Sequence, residues 1–293
     1  MAQERRPETP SRPHRSGVVA ILGRPNAGKS TLLNRLLGEK LAIVTHKPQT
    51  TRSRILGILT LPDAQLLLLD TPGFHESEKA LNRALNEVVD KVVEDCDAAV
   101  LLVDPADGWD AAHDELRRRL ENRGARLLVV ATKVDLGRDA AGLPADLSIS
   151  ALRGEGLESL LTALVDLLPE GPAFYGEDEL TDRPLRFLAA EEIREAVFEE
   201  LEQEIPYSTA VEIEAFDESR PDLVRIRANL LLEHKSQKGM VVGKGGSMIR
   251  RVGQRARESL EERLGTRVHL DLWVKVEPKW TKRPNRLKSL GYR

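Results

Sequence analysis

Gly23-Arg24-Pro25-Asn26-Ala27-Gly28-Lys29-Ser30 decides the fold because of what flanks it. Val18-Val19-Ala20-Ile21-Leu22 precedes it, and Thr31-Leu32-Leu33-Asn34-Arg35-Leu36-Leu37 follows, apolar at helical spacing. Strand, glycine-rich loop and helix therefore come in the order a phosphate-binding loop requires. Gly23 and Gly28 let the backbone approach a phosphate chain and turn its N–H groups inward, and the new helix adds the positive end of its dipole. Lys29 is placed to reach β- and γ-phosphates, and the Ser30 hydroxyl to hold magnesium. An ordinary glycine-containing strand-to-helix turn is the competing reading, and the flanks disfavour it.

Further motifs name the nucleotide. Asp70-Thr71-Pro72-Gly73 follows the buried-strand run Leu66-Leu67-Leu68-Leu69. An acidic residue at that strand tip suits magnesium, and the Gly73 N–H can meet a γ-phosphate. Leu127-Leu128-Val129-Val130-Ala131 runs into Thr132-Lys133-Val134-Asp135. There the Asp135 carboxylate can accept from N1–H and the exocyclic amine of guanine, a pair adenine lacks, while the Lys133 stem lies over the base. Ser150-Ala151-Leu152, after Leu147-Ser148-Ile149, offers a backbone N–H to guanine O6. Each tetrapeptide alone is weak; all four in order, each behind an apolar run, point to GTP.

A chain of 293 residues suggests about two domains. The net charge of −3 means that any nucleic-acid surface must be local. One cysteine, Cys96, excludes an intramolecular disulfide and fits a reducing compartment. The six histidines show no zinc-ligand spacing, and no apolar run approaches the ~20 residues that span a bilayer. Residues 1–16 read as a disordered arm without the apolar core of a secretory signal.

From 17 to 170, apolar runs alternate with helical stretches, which predicts an α/β phosphate-loop domain with a mostly parallel sheet and helices on both faces. Residues 171–183 read as a linker. From 184 to 280 the predicted order is helix, strand, strand, helix, Gly243-Lys244-Gly245-Gly246, helix, strand. A GxxG loop between two helices clamps a single-stranded backbone in α+β domains of the KH type II class. Lys235, Lys238, Lys244, Arg250 and Arg251 cluster around the loop, with Gly243, Gly245 and Gly246 giving close approach, so these are the candidate RNA contacts. Residues 281–293 read as a basic tail. Trp273 and Trp280 are expected to be packing residues rather than base platforms.

With these motifs in hand, the chain resembles the Era GTPases, which join a Ras-like GTPase domain to a C-terminal KH domain. GRPNAGKST, KPQTTR (Lys47 to Arg52), DTPG, SQKGMVVGKGG (Ser236 to Gly246) and LDLWVKV (Leu270 to Val276) carry the likeness, over about Ser16 to Trp280. The resemblance implies GTP hydrolysis to GDP, Mg2+, binding to the 3′ end of small-subunit (16S) ribosomal RNA, and a role in 30S subunit assembly. It also implies a cytoplasmic protein with a peripheral fraction on the membrane's cytoplasmic face; a monomer is expected. Thr51, just before Arg52, matches the switch threonine of relatives, so Ser30, Thr51 and Asp70 are the expected magnesium ligands. Asn26 matches an asparagine that helps bind potassium in related GTPases. Lys29, Thr51, Gly73 and Asn26 are thus the expected catalytic set, and Gly23–Thr31, Asp70–Phe74, Thr132–Asp135 and Ser150–Leu152 the nucleotide loops.

Two positions depart from common patterns. Phe74 stands where Ras-type enzymes carry a water-orienting glutamine, although the Era family shares a hydrophobic residue there. His75 beside it reads as a solvated loop residue. Thr132 replaces the family's usual asparagine, which should remove one hydrogen bond worth about 0.5–1.5 kcal/mol. Two other readings remain open: an RNA assembly factor with little turnover, and an ATP-using phosphate-loop enzyme with a nucleic-acid domain.

Overall fold

The computed structural model describes residues 13–47, 50–74, 80–202 and 204–291. The first unit runs β1 (Arg15–Gly23), α1 (Lys29–Leu37), β2 (Ile55–Leu61), β3 (Ala64–Asp70), α2 (Ala80–Asp95), β4 (Ala98–Val103), α3 (Ala111–Asn122), β5 (Arg126–Ala131), β6 (Leu147–Ser148) and α4 (Leu157–Leu167). Its sheet has the order β2-β3-β1-β4-β5-β6, parallel except for β2. Alternate residues of one strand serve opposite faces: Val19 and Ile21 join one buried cluster, Ala20 and Leu22 the other. Two covered faces explain why these strands are unbroken apolar runs rather than alternating ones. Because β1 lies between β3 and β4, the strand order reverses there. The crevice at its C-terminal end is the place such sheets reserve for ligands.

β2, the antiparallel edge strand, has no counterpart in the sequence reading. β1 starts at Arg15, inside the span read as a disordered arm, of which residues 1–12 lie outside the described residues. Residues 171–183, read as a linker, follow the sheet edge. The Gln65 side chain pairs with the backbone of Phe174 and Tyr175, and Leu180 O accepts from Ile58 N–H.

The second unit runs α5 (Leu185–Glu200), β7 (Thr209–Arg220), β8 (Leu223–Leu232), α6 (Lys235–Val242), α7 (Ser247–Leu264), β9 (Arg267–Val276) and α8 (Pro284–Ser289). β7 pairs antiparallel with β8, and β8 parallel with β9. Val224, Ile226, Ala228 and Leu230 of β8 pack against the helices with Ile193 and Val197 of α5 and Val252, Ala256 and Leu260 of α7. On the opposite sheet face Trp280, fully buried, joins Ala210, Leu231 and Leu287. The segment read as a basic tail is therefore folded as far as residue 291. Arg286 is bound to Glu212 at 2.7 Å and to Glu277 at 2.9 Å, which occupies its charge.

Candidate functional site

The end of β1 builds the phosphate loop. Gly23 has φ +153°, and a Cβ there would meet Leu102 O at 2.7 Å. Gly28, at φ +95°, starts α1. Gly73 answers a different demand: a Cβ there would lie 2.5 Å from Pro25 N, so DTPG packs backbone to backbone on the phosphate loop. Lys29 folds back beneath that loop, donating to Gly23 O at 3.0 Å and Arg24 O at 2.8 Å. Burial lowers its pKa to about 8 against the opposing pull of Asp70.

Three oxygens sought as metal ligands come together here. Ser30 Oγ donates to Asp70 Oδ2 at 2.7 Å and lies 2.9 Å from Thr51 Oγ1, which is itself 3.3 Å from Asp70 Oδ2. The Thr50 hydroxyl instead pairs with Thr45 Oγ1 and Lys47 O. Asp70 is fully buried and its Oδ1 has no hydrogen-bond partner. Burial pushes its pKa up to about 6, opposed by Lys29, Ser30 and Thr51. Two hydroxyls, a carboxylate and an orphaned buried oxygen fit a hard cation such as magnesium. Bound there, magnesium would neutralise charge developing on a transferring phosphoryl group.

Asn26, at φ +63°, is exposed, its amide 3.5 Å from His46 O. The half-buried Phe74 ring packs edge-on against His113 (centroids 5.4 Å apart), and His113 stacks on Trp109 at 5.1 Å. The Phe74 side chain has no group that can hydrogen-bond an attacking water. His75 lies outside the described residues. His113 is buried and caps α3 with Asp110, which also binds Arg24 of the phosphate loop.

In the base-reading loops, Ser150 Oγ donates to Asp135 Oδ1 at 2.6 Å, fixing the carboxylate. Lys133, at φ +58°, pairs with Asp104 at 2.8 Å. The Ser150 N–H is taken by Glu155 O, which leaves the N–H groups of Ala151 and Leu152 to meet a base oxygen. Thr132 is buried with its hydroxyl 3.4 Å from Val103 O, so it braces β4 rather than the phosphate loop.

In the second unit, Gly243, Gly245 and Gly246 have φ of +73°, +58° and +77°, and a Cβ on Gly243 would lie 2.8 Å from Met248 N. No ordinary residue turns this tightly between α6 and α7. Arg250 donates to Gly245 O at 2.7 Å and braces the loop, while Lys235, Lys238 and Lys244 are exposed. Arg251 is committed to Glu200, and Arg255 to Glu199 and Glu200. An open groove of about 860 Å³ follows β9, lined by Lys235, Lys238, Lys275 and Trp273 and also by the carboxylates of Glu214 and Asp271. Trp273 is 60 % exposed, which corrects its assignment to the core. Its neighbours Leu272 and Val274 face the helices, so the two-residue period turns Trp273 outward.

Sequence reasoning missed a group of residues joining the two units. Arg52, 2 % exposed, donates to Thr209 O, Pro206 O and Tyr207 O. Arg194, 3 % exposed, donates to Thr50 O. Lys40 binds Glu192 and Glu195, and Arg263 binds Glu192. No local signal marks these contacts, whose partners are distant in the sequence.

Comparison with known proteins fits this geometry. Residues 18–133 match the model of a 50S ribosome-binding GTPase family, and residues 204–281 that of the KH domain. The GTPase Era of Xanthomonas campestris pv. campestris (strain B100) is 44% identical over 294 residues, covering 96% of this chain and 98% of that protein. The chain belongs to the GTPase Era family. The Era of Syntrophus aciditrophicus is also 44% identical, with 95% of both chains covered. Era of Aquifex aeolicus, solved as a point variant bound to GDP.AlF4-, superposes with a TM-score of 0.89 at 36% identity, over 95% of this chain and 99% of that one. An Era solved with MgGDPNP and nucleotides 1506–1542 of 16S ribosomal RNA gives 0.88 at 35% identity with the same coverage. Family membership makes the chain a GTPase and sets aside the ATP-using reading.

Proposed function

We propose that this Era-family GTPase couples GTP hydrolysis to gripping the 3′ end of 16S ribosomal RNA, and so assists small-subunit assembly. The observation that carries the reading is the pairing, in one chain, of the Ser30–Thr51–Asp70 cluster with a left-handed GKGG turn, which follows the helix carrying the exposed Lys235 and Lys238. The related Era solved with MgGDPNP and 16S nucleotides supports it. In this reading Ser30, Thr51 and Asp70 hold Mg2+, Lys29 and the Gly73 N–H bind the γ-phosphate, and Asp135 reads guanine. Lys235, Lys238, Lys244 and the three loop glycines carry the RNA backbone. Potassium beside Asn26 supplies positive charge that Phe74 cannot; equal turnover in potassium and sodium salts would remove that element. A monomer in the cytoplasm, with a peripheral membrane fraction, completes the reading. Among the described residues no helix is long and apolar enough to cross a membrane; failure to co-sediment with anionic vesicles would remove the membrane fraction.

The double substitution Lys244→Asp with Gly245→Asp tests the RNA half. Two carboxylates in the path of the backbone should cost roughly tenfold or more in affinity for a 16S 3′ fragment, with the log–log salt slope about one unit shallower. GTP affinity should stay within about twofold, since the nucleotide loops lie in the other domain and exposed charges are screened by salt. Unchanged RNA affinity at low and moderate salt would leave GKGG as a helix–helix turn and end this reading.

A further inference from the structure

Thr51 reaches the Ser30–Asp70 cluster from a loop whose neighbouring residues are held by the other domain. On one side, the Thr50 carbonyl accepts from Arg194 of α5. On the other, the Arg52 guanidinium is buried among the carbonyls of Pro206, Tyr207 and Thr209, at 2.8 to 2.9 Å. Both guanidiniums lie 5.6 Å from the centroid of the fully buried Phe198 ring. Arg194 is itself oriented by Glu191, at 2.8 Å from Nε. Lys47 of the same loop donates to Phe198 O and Leu201 O at the end of α5.

Burying two guanidiniums is costly unless their geometry is fixed and their donors satisfied. A surface that only joined two domains could use apolar side chains at less cost. Here one buried cation holds the carbonyl before the threonine at the metal position, and the other is the side chain after it, anchored in the second domain. We propose that Arg194, supplied by the KH domain, is a positioning residue for GTP hydrolysis: it holds the Thr50 carbonyl so that the Thr51 hydroxyl stands at the magnesium site. This rests on the reading of Ser30, Thr51 and Asp70 as the metal site. The KH domain is then a structural part of the GTPase site as well as its RNA-binding partner.

The test uses the full chain and a fluorescent GDPNP, with nucleotide release measured across a free-Mg2+ titration. Arg194→Met should raise the Mg2+ concentration for half-maximal GDPNP retention by roughly tenfold, the loss of one well-placed charge-assisted hydrogen bond. GDP affinity in EDTA should stay within about twofold, because that state does not use the switch threonine. Arg194→Lys, which keeps charge and one donor, should fall between the two and covers the case in which Arg194→Met does not fold. Lys40→Ala cuts the same loop's links to Glu192 and Glu195 away from Thr51, and should leave the Mg2+ dependence unchanged. Wild-type Mg2+ dependence in Arg194→Met, or in Arg194→Lys if only that variant folds, would overturn the proposal. So would an equal shift in Lys40→Ala, since general undocking would then explain it. Loss of Mg2+-dependent retention in the unaltered protein would instead overturn the metal assignment.

Discussion

The phosphate loop and the GKGG loop are both glycine turns that lead into helices, yet their surroundings are opposite. Around the first, the charged groups are buried and strained electrostatically: Lys29 is pushed down to about 8 and Asp70 up to about 6. Around the second, Lys235, Lys238 and Lys244 stand in solvent. A site that must stabilise charge during a reaction gains from low dielectric and fixed dipoles, and gives up folding stability for them. A site that only grips a polyanion gains from mobile, hydrated cations whose counterions are released. The contrast predicts that substitutions at the first loop alter affinity and stability sharply, and that those at the second act mildly and depend on salt.

The sharpest break should come from Lys29→Ala. Removing a buried cation that faces phosphate should weaken GTP binding by about 2–3 kcal/mol, or roughly a hundredfold, measured by calorimetry. Equal GTP affinity in the variant would contradict the assignment of Lys29 to the phosphates. Asp70→Asn tests whether the first site trades stability for function. Asp70 binds its proton more tightly folded than unfolded, so its contribution to stability is present below about pH 4 and lost as pH rises to about 6. In Mg2+-free buffer at pH 7 the amide variant should therefore be more stable than the parent, by about 1–3 kcal/mol, and should lack that part of the pH dependence. A less stable variant under those conditions would refute the trade. The smallest effect belongs to the groove: Trp273→Ala should weaken single-stranded RNA by about 1 kcal/mol, one stacked base, with little change in melting temperature. A melting temperature lowered by several degrees would show that Trp273 packs after all.

Local sequence carries the nucleotide loops well, because each is a short contiguous motif at the tip of an apolar run. It carries GKGG for the same reason, since the required backbone turn is itself local. Trp273 is a case where the signal was present and its sense misread. Two-residue alternation put it in a strand, and the same parity sets it against Leu272 and Val274, on the outward face. Arg251 and Arg286 look like free cations in the sequence, but Glu200, Glu212 and Glu277 reach them only through tertiary folding. The links of Arg52 and Arg194 across the domain junction are likewise silent, because their partners there are main-chain carbonyls, which every residue has.

The strap between the domains has a practical consequence. The chain leaves the first domain beside its own start, where Gly171 N–H meets His14 O and Ser16 Oγ donates to Pro172 O. It then runs the length of the sheet edge, past Gln65 and Ile58, until Arg183 donates to Arg54 O. Ile58 and its neighbours form an apolar border strand, the kind that recruits other chains when bared. A fragment ended after helix α4, at residue 170, would expose that border, whereas one ended after Arg183 would keep it covered. Anyone isolating the catalytic half should therefore expect the shorter piece to aggregate and the longer one to stay dispersed.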